Sequence, residues 1–231
     1  MHRSRRPIYP IALALGAMGL AAALLAVPFP KLGLALVCAG FGLSMILFEA
    51  VSGLRFPRRL IVIVTGFAAA TLLLGEALQT YEELPWWDIA LHGSAGTVLA
   101  AVGMALALLP TAGATPRTGL WILSVLAFGF AMMVGAMWEV LEFTLDTLFG
   151  TNAQAGGNSD TMTDTLANLA GALWGTLAAH LAVGTGRVWP PAGMLRDFIA
   201  RNPVIYGAWR GPLDARASDP ARQGHVGGRE A

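Results

Sequence analysis

Three short sets of polar residues in this chain have the spacing of a single helical face. Asp88 and His92 stand at i and i+4. Glu139, Glu142 and Asp146 stand at i, i+3 and i+7, and Asp160, Asp164 and Asn168 at i, i+4 and i+8. Side chains three and four positions apart are neighbours on an α-helix, so each set gathers on one side of its helix. Together they offer one imidazole, one amide and six carboxylates. Carboxylates held side by side cannot all stay ionised: either protons are shared or a cation lies among them. No lysine or arginine falls within these three segments. A divalent metal is therefore the simplest neutraliser, with nitrogen from His92 and oxygen from the acids. Zinc, manganese and iron accept such a donor set, whereas magnesium and calcium favour oxygen alone.

A metal in such a place lowers the pKa of bound water, and a nearby carboxylate can then take its proton. Glu139 and Asp164 are the candidate catalytic bases. Asp88, His92, Glu139, Glu142, Asp160, Asp164 and Asn168 form the candidate metal or polar cluster, with Glu76 and Asp146 peripheral to it. Each has a plainer reading. Acidic side chains also favour helix N-termini, which suits Asp88, Asp160 and Asp164. Asn168 can serve as a hydrogen-bonding link between helices. Glu49 can pair with Arg55, Arg58 or Arg59, and His180 falls at the opposite end of its helix from the cluster.

The elements that must position these groups follow from composition. Of 231 residues, 55% are hydrophobic and 13% charged, against about 25% charged in ordinary soluble domains. The net charge of +1 excludes an acidic disordered chain and provides no general field for nucleic acid. The one cysteine, Cys38, cannot build an intramolecular disulfide or a cysteine-cluster metal site. The composition is that of a membrane protein whose immediate partners are lipids.

A bilayer core needs roughly 20 residues of helix. Continuous apolar runs rich in Ala, Leu and Gly predict an all-α bundle of six spans, at about 10–29, 32–50, 59–78, 88–109, 119–145 and 161–183. A β-barrel would show alternating segments about half as long. The membrane domain is expected over residues 1–203, followed by a flexible cytoplasmic tail over 204–231. The basic residues agree with this count. Arg3, Arg5, Arg6, Arg55, Arg58, Arg59, Arg117, Arg187, Arg196 and Arg201 all fall on one side of the alternating spans. The other side carries Lys31, Glu82, Glu83 and an uncharged 151–159 loop. The positive-inside rule then sets both termini in the cytoplasm and all three polar sets toward the outer leaflet. Trp86 and Trp87 fit an interfacial aromatic belt, and Gly171 with Gly175 fit close helix packing.

The order Asp88-Ile-Ala-Leu-His92-x-x-x-Gly96, then Trp138-Glu139-x-x-Glu142, then Asp160-x-x-x-Asp164-x-x-x-Asn168-x-x-Gly171 resembles the YjdF-like bacterial inner-membrane proteins, domain-of-unknown-function family 2238. The resemblance covers about 200 residues. It implies a multi-pass location in the bacterial inner membrane and brings no reaction, ligand or metal with it. A fainter similarity is to VanZ-like membrane proteins, which also carry Asp-x-x-x-His at a helix start. Ile89 and Glu142 depart from that pattern. Three classes of function are compatible with the residues. They are a metal-dependent hydrolase or transferase acting on a lipid headgroup or envelope substrate, a cation or proton-coupled transporter, and a non-catalytic membrane subunit.

Overall fold

Long stretches of Ala, Leu, Val and Met with few polar side chains favour helix and leave little choice of where to break it. The breaks fall at residues that cannot continue a helix or cannot keep its handedness. The computed structural model of the chain describes residues 13–19, 21, 30–111, 118–154 and 157–206, the side chains of Pro30 and Glu76 excepted. Helix α1 covers residues 13–19, and Ala21 is also helical; the rest of the first expected span lies outside the described residues. Helix α2 (Pro30–Ser52) ends at Gly53, whose φ of 75° is left-handed. Helix α3 (Arg58–Ala68) starts after Pro57 and runs directly into a π-helical segment, Ala69–Ala77. A short α4 (Thr80–Glu83) leads to α5 (Trp87–Leu108), which closes in a 3₁₀ turn, Leu109–Thr111. Helix α6 (Leu120–Phe149) ends at left-handed Gly150, and α7 (Asn158–Thr185) is followed by α8 (Ala192–Arg201) and α9 (Pro203–Tyr206).

Five of these segments are long and apolar enough to cross a bilayer: Lys31–Ser52, Arg58–Gly75, Trp87–Thr111, Leu120–Phe149 and Asn158–Thr185. The chain is an all-α polytopic membrane protein. It divides into two compact units, one comprising Met1–Ser94 with Gln154–Ala167, the other Ala95–Ala153 with Asn168–Ala231.

In the first unit α2 packs along α3 and the π-helical segment. The Trp87 indole nitrogen donates to the Ala70 carbonyl across 3.3 Å, tying the π-helical segment to the first residue of α5. At the other end of α2, Glu49 Oε1 accepts the Phe56 amide at 2.5 Å and so closes the connection into α3.

The second unit is built on alanine. Ala100, Ala131 and Ala172, one each from α5, α6 and α7, are fully buried. Lipid tails are as apolar as side chains, so helices in a membrane gain chiefly from close contact, which small residues allow. Gly175 shows the limit of that approach: a Cβ added there would strike the Thr97 backbone oxygen and Ala100. Thr97 Oγ1 in turn donates to the Gly171 carbonyl at 3.2 Å. Farther along, Met104, Leu108, Leu123 and Ala182 pack with Ala192, Leu195 and Ile199 of α8. Tyr206, buried at the end of α9, donates its hydroxyl to the Ala105 carbonyl at 2.8 Å. Burial pushes the Tyr206 phenol up to about 12. The tail expected over 204–231 thus includes a helical, partly buried start through Tyr206, and residues 207–231 lie outside the described residues.

Candidate metal centre

The start of α5 is built by its own sequence. Pro85 cannot continue a preceding helix, and Trp87 N donates back to the Leu84 carbonyl at 2.9 Å as the new helix begins. Asp88 thereby falls in the first turn and His92 one turn farther on, on the same face. The two side chains meet: His92 Nε2 lies 3.5 Å from Asp88 Oδ1.

Helix α7 supplies the third group. The turn before it is held by Gln154 Nε2 donating to Thr161 Oγ1 at 2.6 Å. Asp164, two turns into α7, is 2% exposed and carries its Oδ2 to 4.0 Å from His92 Nε2. One ligand atom each from Asp88, His92 and Asp164 lies within 4.8 Å of the others. Metal–ligand bonds of about 2.1 Å separate neighbouring ligands by roughly 3.4 Å in a tetrahedral site and about 3.0 Å in an octahedral one. The observed 3.5 and 4.0 Å are therefore close to coordination distances, and small side-chain rotations close the remainder. The three groups can hold a divalent metal. Two carboxylates and a neutral imidazole carry a formal charge that one divalent ion cancels, and burial makes that cancellation worth more than it would be in water. Asp160, one turn before Asp164 and half-buried, acts electrostatically on His92.

Of the other sequence-predicted residues, Glu142, Asp146 and Asn168 have partners of their own. Glu139 is buried on α6, 7% exposed. Glu142 Oε1 accepts the Trp138 indole N–H at 2.8 Å. Asp146 Oδ1 accepts from Thr151 Oγ1 at 2.6 Å and from the Ala153 amide at 2.7 Å, so this carboxylate organises the turn after α6. Asn168 places its amide nitrogen 3.5 Å from both the Ala131 carbonyl and Met132 Sδ. Gly135 makes room for it, since a Cβ there would collide with that same amide. Its interhelical linking role is thus directly visible. Glu76 has its side chain outside the described residues. Trp87 is the contributor that composition alone passes over. Its indole bond to the π-helical segment fixes the start of the helix bearing Asp88, and nothing in an aromatic residue near a span end signals that partner.

Comparison with known proteins agrees with the architecture. An uncharacterized protein of Thermotoga maritima is 24% identical over 134 residues, covering 56% of this chain and 66% of that relative. The chain thus spans just under two thirds of that relative's length. No solved structure matches. The model of a family described as "Predicted membrane protein (DUF2238)" matches residues 10–184. That stretch takes in the bilayer-length helices described above, all but the final Thr185 of α7, and all three members of the Asp88–His92–Asp164 group. This multi-pass membrane protein belongs to the DUF2238 family.

Proposed function

We propose that the chain is a divalent-metal protein of the bacterial inner membrane, with six spans, both termini in the cytoplasm and its metal centre toward the outer leaflet. The carrying observation is the convergence of Asp88, His92 and Asp164 at 3.5 and 4.0 Å within membrane-spanning helices. Ionisable groups in such helices are costly and usually mark function. Among the described residues, this is the group of three whose ligand atoms lie close enough to share an ion.

The basic residues support the orientation, since Arg55, Arg58 and Arg59 lie in one connection while the 151–159 loop is uncharged. Reporter fusions test it: a fusion after residue 156 should read as extracytoplasmic and one after residue 55 as cytoplasmic. The reverse pattern would reject the assigned side.

Three protein ligands leave at least one coordination position for water, the layout of metal sites that activate it. This favours a hydrolase or transferase acting on a lipid headgroup or another envelope substrate. In that reading Asp88, His92 and Asp164 hold the ion and Asp160 acts on it only through its nearby charge. The sequence-derived candidacies of Glu139, Glu142 and Asn168 are tested by separate substitutions. Elemental analysis of purified protein should find near-stoichiometric divalent metal in the wild type and loss of it in His92→Ala and Asp164→Asn. Equal retention in all three would reject these ligands. With metal confirmed, headgroup turnover without ion flux in proteoliposomes supports the enzyme, and flux without turnover supports a transporter.

A further inference from the structure

The connection between α2 and α3 gathers charge of one sign. Arg55, Arg58 and Arg59 fall close together in the chain, and the nearest acids on either side are Glu49 and Glu76. All three arginines are exposed. Glu49 is engaged by the Phe56 amide. The guanidinium groups of Arg58 and Arg59 enter no ion pair or hydrogen bond among the described residues.

The fold adds to this excess. Pro57, fully buried, ends the connection, so Arg58 and Arg59 are the first two residues of α3. The positive end of a helix dipole repels cations, and no side chain caps this helix start. Both α2 and α3 are long enough to cross a bilayer, so the end they share falls at headgroup level. Side chains on a helix lean toward its N-terminus, which here directs both arginines to the headgroup layer.

One turn into α3 the surface becomes apolar. Val62 follows Arg58 by four positions and Arg59 by three, and Ile63 follows Arg59 by four, so they share a helical face. Val62 is 70% exposed and Ile63 38%. Uncompensated cations at the surface with exposed hydrocarbon beneath them match an amphiphile with an anionic head. Guanidinium groups bind phosphate oxygens through paired hydrogen bonds. A soluble phosphate would meet the arginines and leave Val62 and Ile63 uncovered. We infer that the start of α3 holds an anionic phospholipid, its phosphate on Arg58 and Arg59 and its acyl chain along Val62 and Ile63. The inference is independent of the metal centre, whose proposed ligands lie on α5 and α7, and of which leaflet the connection faces.

Native mass spectrometry of the full chain in detergent tests this, with phosphatidylglycerol and phosphatidylcholine of identical acyl chains added in equal amounts. The wild type should retain phosphatidylglycerol in preference. An arginine near an anionic surface contributes about fivefold in binding, so Arg58→Gln with Arg59→Gln should weaken that preference by up to roughly 25-fold. Arg196→Gln with Arg201→Gln removes the same charge elsewhere and should leave it unchanged. Glycerol phosphate, a head without chains, should not displace the lipid at matched concentration. Equal retention of the two lipids by the wild type would overturn the inference, whatever the variants do. A preference that survives in Arg58→Gln/Arg59→Gln would do the same. So would equal loss in both double variants, the mark of bulk charge, or displacement by glycerol phosphate, the mark of a soluble anion.

Discussion

His92 Nε2 stands between two carboxylates, 3.5 Å from Asp88 Oδ1 on its own helix and 4.0 Å from Asp164 Oδ2 on α7. The first contact is local and follows from helical spacing once α5 forms. The second needs α7 to be docked beside it. An ion held by residues divided in this way would link metal occupancy to tertiary structure.

Metal and Asp164 should therefore be coupled in stability. Any ion bound only by the folded chain stabilises it, by about 2.7 kcal/mol at a concentration 100 times its dissociation constant. A chelator should lower the unfolding temperature of the wild type in detergent. Asp164→Asn should respond little to it, because the neutral amide removes both a ligand and a costly buried charge. Thermal unfolding with and without chelator checks this, and an equal chelator response in both proteins would count against Asp164 as a ligand.

Glycine substitutions should separate by environment. Gly175→Ala would drive a methyl group into the Thr97 backbone oxygen, and overpacking of this kind costs about 1–3 kcal/mol. Gly129 has open space around its missing Cβ, so Gly129→Ala should be neutral or gain up to about 1 kcal/mol from helix propensity. Parallel unfolding curves of the two variants read the difference.

Removing the Asn168 amide should loosen the second unit. Polar links between membrane helices contribute about 0.6 kcal/mol on average, with about 1.7 kcal/mol as an upper value. Asn168→Ala should lose an amount in that range, and Asn168→Ala combined with Gly135→Ala should recover part of it, since the collision at Gly135 is with the deleted amide. A double-mutant cycle measures the coupling.

Tyr206 predicts an alkaline transition. Burial raises its phenol from 10.0 to about 12, so the folded chain keeps the proton over a range where the unfolded chain releases it. The stabilisation is complete below pH 10 and is lost as the pH rises through about 12. Unfolding measured across this window should show falling stability in the wild type and a flatter profile in Tyr206→Phe. At neutral pH that variant should lose about 1 kcal/mol from the missing bond to Ala105.

Much of this was legible in the sequence because membrane helices advertise themselves. The apolar runs, the Asp88–His92 spacing and the acidic face of α7 follow from composition and helical period alone. What hydropathy cannot encode is choice among partners. Asp146 and Glu142 share a helical face with Glu139, yet Asp146 holds the Thr151–Ala153 turn and Glu142 takes the Trp138 indole. The π-helical turn at Ala69–Ala77 changes hydrogen-bond register without changing hydrophobicity, so no apolar pattern announces it. Helix α8 is similar: its short amphipathic stretch has no bilayer-length signal, although Leu195 and Ile199 are buried.

The split origin of Asp88, His92 and Asp164 has a bearing on biogenesis. Helix α7 leaves the ribosome only after the whole of α6 has been made, so Asp88 and His92 enter the bilayer well before Asp164 can join them. An ion seated across the α5 and α7 starts would act as a rivet set last, locking late-arriving chain to early. Cells starved of that ion would then accumulate an inserted but unlatched form, recognisable by easier cleavage near the turn that precedes α7.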